Sequence, residues 1–294
     1  MEEQIEQFVI YLQQVKGLSG NTVDSYRRDL CHLEQYLKKV QGITDLRETT
    51  PCHLEEYFQM LGREKKASTV SRRMSSVRAF YRYMVKMYLI KEDISERLQI
   101  PRQEQDMPEA LTVEEVRLLM EQPLGDRPRQ QRDRAILELL YATGINVSEL
   151  IALKISDVNL RLGFLHCKVS GGKRVIPFGN HARSALLEYM DKGRETLLAD
   201  IRSDILFVNY SGRAMSRQGV WKMVRGYGKK AEIQKEVTPH SLRYAFAVHL
   251  IENGADLRSV QEMMGYSDMG AIQKLAAAYR HNAREEYVLA HPRE

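Results

Sequence analysis

The stretch TPHSLRYAFAVHLIENGADLRSVQEMMGYS, residues 238–267, contains the most informative local pattern in the chain. Thr238 followed by Pro239 is typical of a helix start, because threonine caps the first turn and proline fits the first helical position. His240 and Arg243 then fall in the first turns of that helix. By themselves these two residues are either a polar pair on a helix or part of a site that faces a ligand.

Outward from this stretch, residues 1–97 contain only helical patterns. Apolar residues recur at three- and four-residue steps in segments 20–40 and 68–85, which places them on one helix face. Thr50 and Pro51 predict another helix start. The opposite face of the second segment is small or basic, so it is either a solvated face or one that lets a helix approach a phosphate backbone. The apolar stripes are Val23, Tyr26, Leu30, Leu33 and Leu37, then Val70, Met74, Val77, Tyr81 and Met84; the small or basic residues are Arg72, Ser75, Ala79 and Arg82.

Residues 98–110 contain two prolines and no periodicity, which predicts a linker between a domain at 1–97 and a second one at 111–294. In the second domain Thr112 and Glu115 predict a capping box, and a helix is expected to end at Gly144. GFLHCKV and KRVIPF are short β runs joined by Ser170-Gly171-Gly172, and ILFVN (205–209) is a further strand candidate. The predicted fold is therefore mainly α with a small β-sheet.

The composition of the chain limits the classes of function that it can have. The net charge is +5 with a pI of about 9.0, which permits a polyanionic partner. No apolar run approaches the ~18 residues that span a membrane, and the acidic, amphipathic start is unlike a secretory signal. The three cysteines are scattered without metal-ligand spacing, which favours a reducing cytoplasm. They are Cys31, Cys52 and Cys167.

Several ordered segments together resemble the tyrosine recombinase (phage integrase) family, and within it the Xer-type resolvases. Besides residues 238–267 they are GLSGNTVDSYRRDL, ASTVSRRMSSVRAFYRYMV, MPEALTVEEVRLLM, LYATGINVSELIALKISDVNL, GVWKMV and the terminal AHPR. The resemblance implies a SAM-like helical core-binding domain followed by a mixed α/β domain of the family's catalytic type, the two closing as a clamp around duplex DNA.

The resemblance also implies a chemistry. A tyrosine attacks a DNA phosphodiester and forms a 3′-phosphotyrosyl bond, while two arginines stabilise the negative charge that grows on the phosphate oxygens. A hairpin lysine protonates the leaving oxygen, and two histidine positions orient groups and transfer protons. The family's chemistry needs no metal, and we expect neither a metal nor another cofactor in this chain.

The site positions are only partly retained. His240 and Arg243 match the family's H-x-x-R. The first arginine falls within ATGINVSEL, where Asn146 can donate a hydrogen bond but has no charge. The hairpin-lysine role is unresolved, because Lys168 and Lys173 are both near the turn and either is also explained as a solvated lysine.

The remaining two positions bear on cleavage. Tyr266 replaces the second histidine, and its phenol is a poor proton shuttle at pH 7. Nine residues further on, Leu275 stands at the nucleophile position. Tyr279 lies one helical turn late and is a substitute nucleophile only if the helix shifts by that turn. We interpret the chain as a pseudo-recombinase that binds DNA. The alternatives are an active recombinase using Tyr279 or Tyr266, and a protein-interaction scaffold that no longer binds DNA.

The basic residues predicted to contact DNA are not depleted in the same way. Residues 282–294 are predicted to form a short helix, which either docks into a neighbouring subunit or related recombinase on DNA, or packs on its own domain. The predicted DNA contacts are Arg27, Arg28, Arg72, Arg78, Arg82, Lys173, Arg174, Arg217, Lys222 and Arg243, with Arg225, Lys229 and Lys230 nearby.

Overall fold

A computed structural model places the chain in two compact units, Met1–Asp106 and Met107–Glu294. The predicted linker falls mostly on residues 99–108, which lie outside the described residues, so its boundaries stay a prediction. The structure describes residues 1–18, 20–98, 109–169, 172–199 and 201–266, together with 270, 272, 273, 276 and 277.

The first unit is helical, as predicted. Its helices are α1 (Glu2–Gln14), α2 (Gly20–Val40), α3 (Pro51–Glu64) and α4 (Ala67–Lys86). Thr50 caps α3 and Pro51 occupies its first position, which confirms the predicted start.

The predicted apolar stripes form the core of this unit. Every residue of the α4 stripe is buried, and so is every residue of the α2 stripe except the half-buried Tyr26. Phe8 of α1 packs its ring against Phe80 and Tyr83 of α4 at centroid distances of 5.4 and 5.2 Å. Aromatic pairs at such distances add to the free energy gained by burial.

The second unit is mixed, with helices around a small sheet. The Thr112–Glu115 capping box is confirmed. The helices are α5 (Val113–Met120), α6 (Pro128–Thr143), α7 (Val147–Ala152), α8 (Asn180–Glu188), α9 (Arg194–Leu198), α10 (Arg217–Lys230), α11 (Pro239–Glu252) and α12 (Leu257–Met264).

Helix α6 ends where the sequence predicts. Gly144 follows it with φ +59°, a left-handed conformation that L side chains rarely adopt. A Cβ at this position would also lie 2.3 Å from Cδ1 of Phe246 in α11. Glycine is therefore required here for both backbone conformation and space, and it allows α11 to pack against the end of α6.

The sheet has three antiparallel strands in the order β1 (Val158–Asn159), β2 (Phe164–Val169) and β3 (Gly172–Pro177). The sequence predicts Gly172 in the connection between the two β runs. The structure instead pairs it with Val169, so this glycine belongs to β3. Cys167 and Leu165 of β2 are buried, whereas Lys168 is exposed.

The strand prediction for residues 205–209 is wrong. Ile205 and Val208 form only isolated bridges, with Lys154 and Ala214. The guanidinium of the buried Arg194 donates to the carbonyl of Ile205 at 2.6 Å and also reaches Leu206 at 3.2 Å. In a β-sheet, the backbone N–H groups of a neighbouring strand would donate to these two carbonyls. Here the Arg194 side chain donates to them instead.

Within the described part of the chain, no helix is both long enough and apolar enough to cross a membrane.

Candidate functional site

Helix α11 begins at the predicted residue. The hydroxyl of Thr238 accepts a hydrogen bond from the backbone N–H of Ser241 at 3.1 Å, and the hydroxyl of Ser241 accepts from the N–H of Thr238 at 2.8 Å. Pro239 is the first helical residue. This start places His240 on the exposed side of the helix and Arg243 on its buried side, where only 8% of Arg243 is accessible.

The guanidinium of Arg243 is enclosed by three elements. One Nη donates to the carbonyl of Gly144 and the other to the carbonyl of Met264 at 2.6 Å. The ring of Tyr266 covers the guanidinium, with its centroid 4.9 Å from Cζ. The structure thus brings Arg243 and Tyr266 together, whereas His240 borders a different depression.

Asn146 is the N-cap of α7. Its side-chain oxygen accepts from the N–H of Glu149 at 2.9 Å, and the Glu149 carboxylate accepts from the N–H of Asn146 at 2.8 Å. This capping role was missed in the sequence, although asparagine followed three residues later by glutamate is a recognisable N-terminal signal. The amide predicted to stand at the family's first-arginine position therefore has a local structural function.

Glu149 also pairs with Arg174 of β3. The two Nη groups of Arg174 donate to the two carboxylate oxygens at 2.6 and 3.0 Å, and its Nε donates to the carbonyl of Met263 at 3.0 Å. Gly265 turns with φ +66° against this guanidinium, where a Cβ would lie 2.4 Å from Nη1. Arg174 thus ties α7, β3 and the end of α12 together with its guanidinium turned inward.

These residues border a cleft of about 1090 Å³. Its walls come from α7, the β2–β3 pair and the end of α12, and they bring together Asn146, Arg174, Tyr266 and Lys168. Lys173 is exposed on β3, directly opposite Lys168 in the strand register. Lys168 is the lysine of this pair that lines the cleft.

A thiol lies in the same cleft but is unsuited to nucleophilic chemistry. Burial raises the pKa of Cys167 to about 12, with the nearby Glu149 carboxylate acting in the same direction. The thiolate is the reactive form of cysteine, so this group stays protonated and inert near pH 7. Within the described residues, no group of three or more His, Cys, Asp or Glu side chains could hold a metal ion.

His240 borders a different depression, of about 720 Å³, between the starts of α10 and α11. Trp221 lines it together with Arg217, Lys222 and His240. Trp221 is 38% exposed, and Cζ of Arg225 lies 4.9 Å from its ring centroid. The sequence analysis did not single out Trp221, although Arg217 lies four residues before it and Arg225 four residues after it.

The basic residues predicted to contact DNA differ in their surroundings. On α10, Arg217 and Lys222 are exposed, as are Arg225 and Lys229. Lys230 is exposed too and donates to the carbonyl of Gln122 at 3.0 Å.

In the first unit, Arg28 is exposed and its guanidinium reaches the carbonyl of Asp24 on its own helix at 3.2 Å. Arg82 is 72% exposed and lies 3.8 Å from Asp93. Arg27 is paired with Glu6.

Two arginines of α4 have additional structural contacts. Arg72 binds both oxygens of the buried Asp29, one of them at 2.8 Å, yet 48% of its side chain stays exposed. Arg78 is half-buried and donates to the carbonyl of Leu98. Arg72 can therefore hold Asp29 on one side and still present positive charge to solvent.

The predicted nucleophile position falls outside the part of the chain that the structure describes. Leu275, Tyr279 and the predicted C-terminal helix at 282–294 lie outside the described residues.

Comparisons with known proteins identify the family. Residues 109–286 match the phage integrase family, and residues 5–87 match the phage integrase N-terminal SAM-like domain. The tyrosine recombinase XerD of Halalkalibacterium halodurans is 40% identical over 291 residues, covering 98% of this chain and 97% of that protein.

Solved structures share the fold. The XerA recombinase is 28% identical with a TM-score of 0.55, and the alignment covers 99% of both chains. The XerH site-specific recombinase, in a post-cleavage complex with a palindromic difH substrate, is 20% identical with a TM-score of 0.76, over 99% of this chain and 84% of that one. With both of its domains matched, the chain belongs to the phage integrase family of tyrosine recombinases, and its relatives are Xer-type.

Proposed function

We propose that this protein binds duplex DNA and does not cleave it unaided. The observation that supports this most directly is the environment of Asn146, which stands where the family places its first phosphate-binding arginine. The Asn146 amide oxygen is bound to the N–H of Glu149, and the side chain carries no charge. The site therefore lacks one of the two cations that would stabilise a cleavage transition state.

The proposed DNA contacts rest on exposed basic side chains. Arg217, Lys222 and Arg225 line one side of α10, and Arg82 is exposed on α4. Lysine and arginine at a phosphate backbone release counterions, so the affinity of such a surface falls steeply as salt rises. These residues fit a backbone-directed mode of binding.

The absence of cleavage is argued from chemistry. A leucine at 275 offers no oxygen that could displace the sugar, and loss of the nucleophile removes the covalent route. Loss of one preorganised donor costs a further ~10²–10³ in rate. The inert thiol of Cys167 offers no replacement nucleophile.

A second candidate is an active recombinase with a rewired site. It is favoured by the 40% identity to a protein named tyrosine recombinase XerD, and it would need Tyr279 or Tyr266 as nucleophile. In either case residues 282–294 are proposed to form a helix that contacts another subunit or a related recombinase on DNA.

Two measurements separate these functions. The first is titration of a duplex carrying an Xer-type half-site, followed by the fluorescence of Trp221, the only tryptophan of the chain. Absence of binding at low salt would leave the scaffold alternative. The second uses a nicked suicide substrate, with the Halalkalibacterium halodurans XerD as positive control. Binding without a covalent band supports the proposal, whereas a covalent band that disappears in Tyr279→Phe or Tyr266→Phe establishes the rewired enzyme.

A further inference from the structure

Asp29 of α2 is a buried carboxylate in the helical first unit, with only 3% of the residue accessible. A buried charge costs free energy unless it is paired and hydrogen-bonded. Three side chains of α4 supply its partners. Arg72 donates to both carboxylate oxygens, one of them at 2.8 Å, and the hydroxyl of Ser76 donates to Oδ2 at 2.8 Å. Nε of Arg73 lies 3.7 Å from Oδ1. Two cations therefore surround one negative charge.

The two arginines around Asp29 differ in their access to solvent. The Arg73 side chain is 14% exposed, and one of its Nη groups donates to the hydroxyl of the buried Tyr57 at 3.4 Å. The Arg72 side chain is 48% exposed. Because Arg73 neutralises Asp29 from the interior, the positive charge of Arg72 is in excess. It is also the charge of this cluster that an anion in solution can reach.

The contact with Asp29 leaves Arg72 able to bind a second group. A guanidinium has five N–H donors, and Asp29 accepts from one on each Nη. The other donors of Arg72 can reach phosphate oxygens. Since Ser76 also holds the carboxylate, the two-point contact fixes the orientation of a long and otherwise mobile side chain. Ordering such a side chain during binding costs an amount equivalent to roughly 2–10-fold in affinity, and here it is already ordered.

We propose that Asp29 is a positioning residue that holds Arg72 in the orientation in which it contacts a DNA phosphate. This inference rests on the proposed function, because the anion bound by Arg72 is then the backbone of the duplex. Asp29 is buried and acts only through Arg72. A negative charge within the first unit thus strengthens DNA binding, although its effect on net charge alone would weaken it.

The direction of the change in affinity tests this proposal. Asp29→Asn removes a negative charge, but an asparagine amide accepts only at its oxygen, so the two-point contact with Arg72 is lost. We expect its affinity for a duplex carrying an Xer-type half-site, measured by fluorescence anisotropy, to fall by roughly 2–10-fold. Asp24→Asn removes the same charge from an exposed position of α2 and should leave the affinity unchanged or slightly higher. Equal affinities of the two variants overturn the inference.

A double-mutant cycle distinguishes positioning of Arg72 from a general effect on the fold. Arg72→Gln should weaken binding and reduce the slope of log affinity against log salt by about 1, as expected for loss of one phosphate contact. If Asp29 acts through Arg72, adding Asp29→Asn to Arg72→Gln should cause no further loss of affinity. Losses that add in the double variant overturn the inference, because Asp29 would then act independently of Arg72.

Arg72→Lys tests the same orientation if Asp29→Asn does not fold, since Arg73 and Ser76 still hold the carboxylate. Lysine keeps the charge but lacks the planar fork that contacts both oxygens. We expect a similar loss of affinity with the salt slope unchanged, and wild-type affinity in Arg72→Lys overturns the inference. Absence of binding by the wild-type protein at low salt is a different result, which contradicts the proposed function and the inference with it.

Discussion

Asn146 and Glu149 cap each other at the start of α7, with the amide oxygen and the carboxylate each accepting the other residue's backbone N–H. Asparagine is among the best N-cap residues because its side-chain oxygen satisfies a donor that the helix leaves free. An arginine has no acceptor atom and cannot do this. Asn146, which we propose stands in place of a phosphate-binding arginine, thus stabilises the helix beside the cleft.

The cap predicts a specific stability difference. Asn146→Ala should lower the free energy of unfolding by about 1 kcal/mol, the usual cost of losing a capping side chain. Asn146→Ser keeps an acceptor at the same place and is the control, with a loss of no more than a few tenths. Denaturant unfolding would measure both. Equal stability of the alanine and serine variants would contradict a capping role.

Restoring the chemistry should require two changes. Leu275→Tyr supplies the missing oxygen, but without the first arginine we expect only traces of covalent product on a suicide substrate. Adding Asn146→Arg should raise the cleavage rate by roughly 10²–10³, the effect of one preorganised donor. Leu275→Phe with Asn146→Arg is the control and should form no adduct. No gain in rate when Asn146→Arg is combined with Leu275→Tyr would mean that the site has diverged further than these two positions.

What could be predicted from the sequence depended on the range of the interactions. The caps at Thr50, Thr112 and Thr238 each involve residues within one turn, so short motifs indicated them correctly. The C-cap at Gly144 was equally local. By contrast, the contact between Arg243 and Gly144 joins residues 99 positions apart, and no spacing rule reveals it.

The candidate site shows the same difference between local motifs and long-range contacts. Family motifs predict candidate positions for the site, but not the contacts that their side chains make. The carbonyls of Ile205 and Leu206 accept from Arg194, a tertiary contact that overrode a local strand pattern. Burial of the Arg174–Glu149 pair likewise depends on the packing of β3 against α7 and α12, which the sequence alone does not specify.

A half-buried carboxyl predicts a pH-dependent stability. Burial raises the pKa of Glu138 on α6, although the nearby charges of His181 and Arg134 oppose the shift. A carboxyl whose pKa is higher in the folded protein destabilises the fold progressively as pH rises above its unfolded pKa of ~4.3, and the full effect is present above the folded pKa. Glu138→Gln should therefore raise the melting temperature at pH 7 and leave it unchanged at about pH 4.

Thermal unfolding between these two pH values would measure the effect. A melting temperature that falls at pH 7 in Glu138→Gln would mean that the attraction to His181 and Arg134 outweighs the cost of burial. Glu121→Gln, an exposed glutamate paired with Arg117, is the control and should change little at either pH.

The exposed basic face of α10 predicts the salt dependence of DNA binding. Lys222→Gln should weaken binding to any duplex and reduce the salt slope by about 1. Lys222 is exposed and has no acidic partner among the described residues, so it is free to neutralise one phosphate. Arg117→Gln removes the same charge from α5, where Glu114 and Glu121 both lie within ion-pair distance, and should leave the slope unchanged. Fluorescence anisotropy over a series of salt concentrations would compare the two variants. Equal slopes for both would indicate that binding responds only to net charge, and that α10 is not the surface facing the DNA backbone.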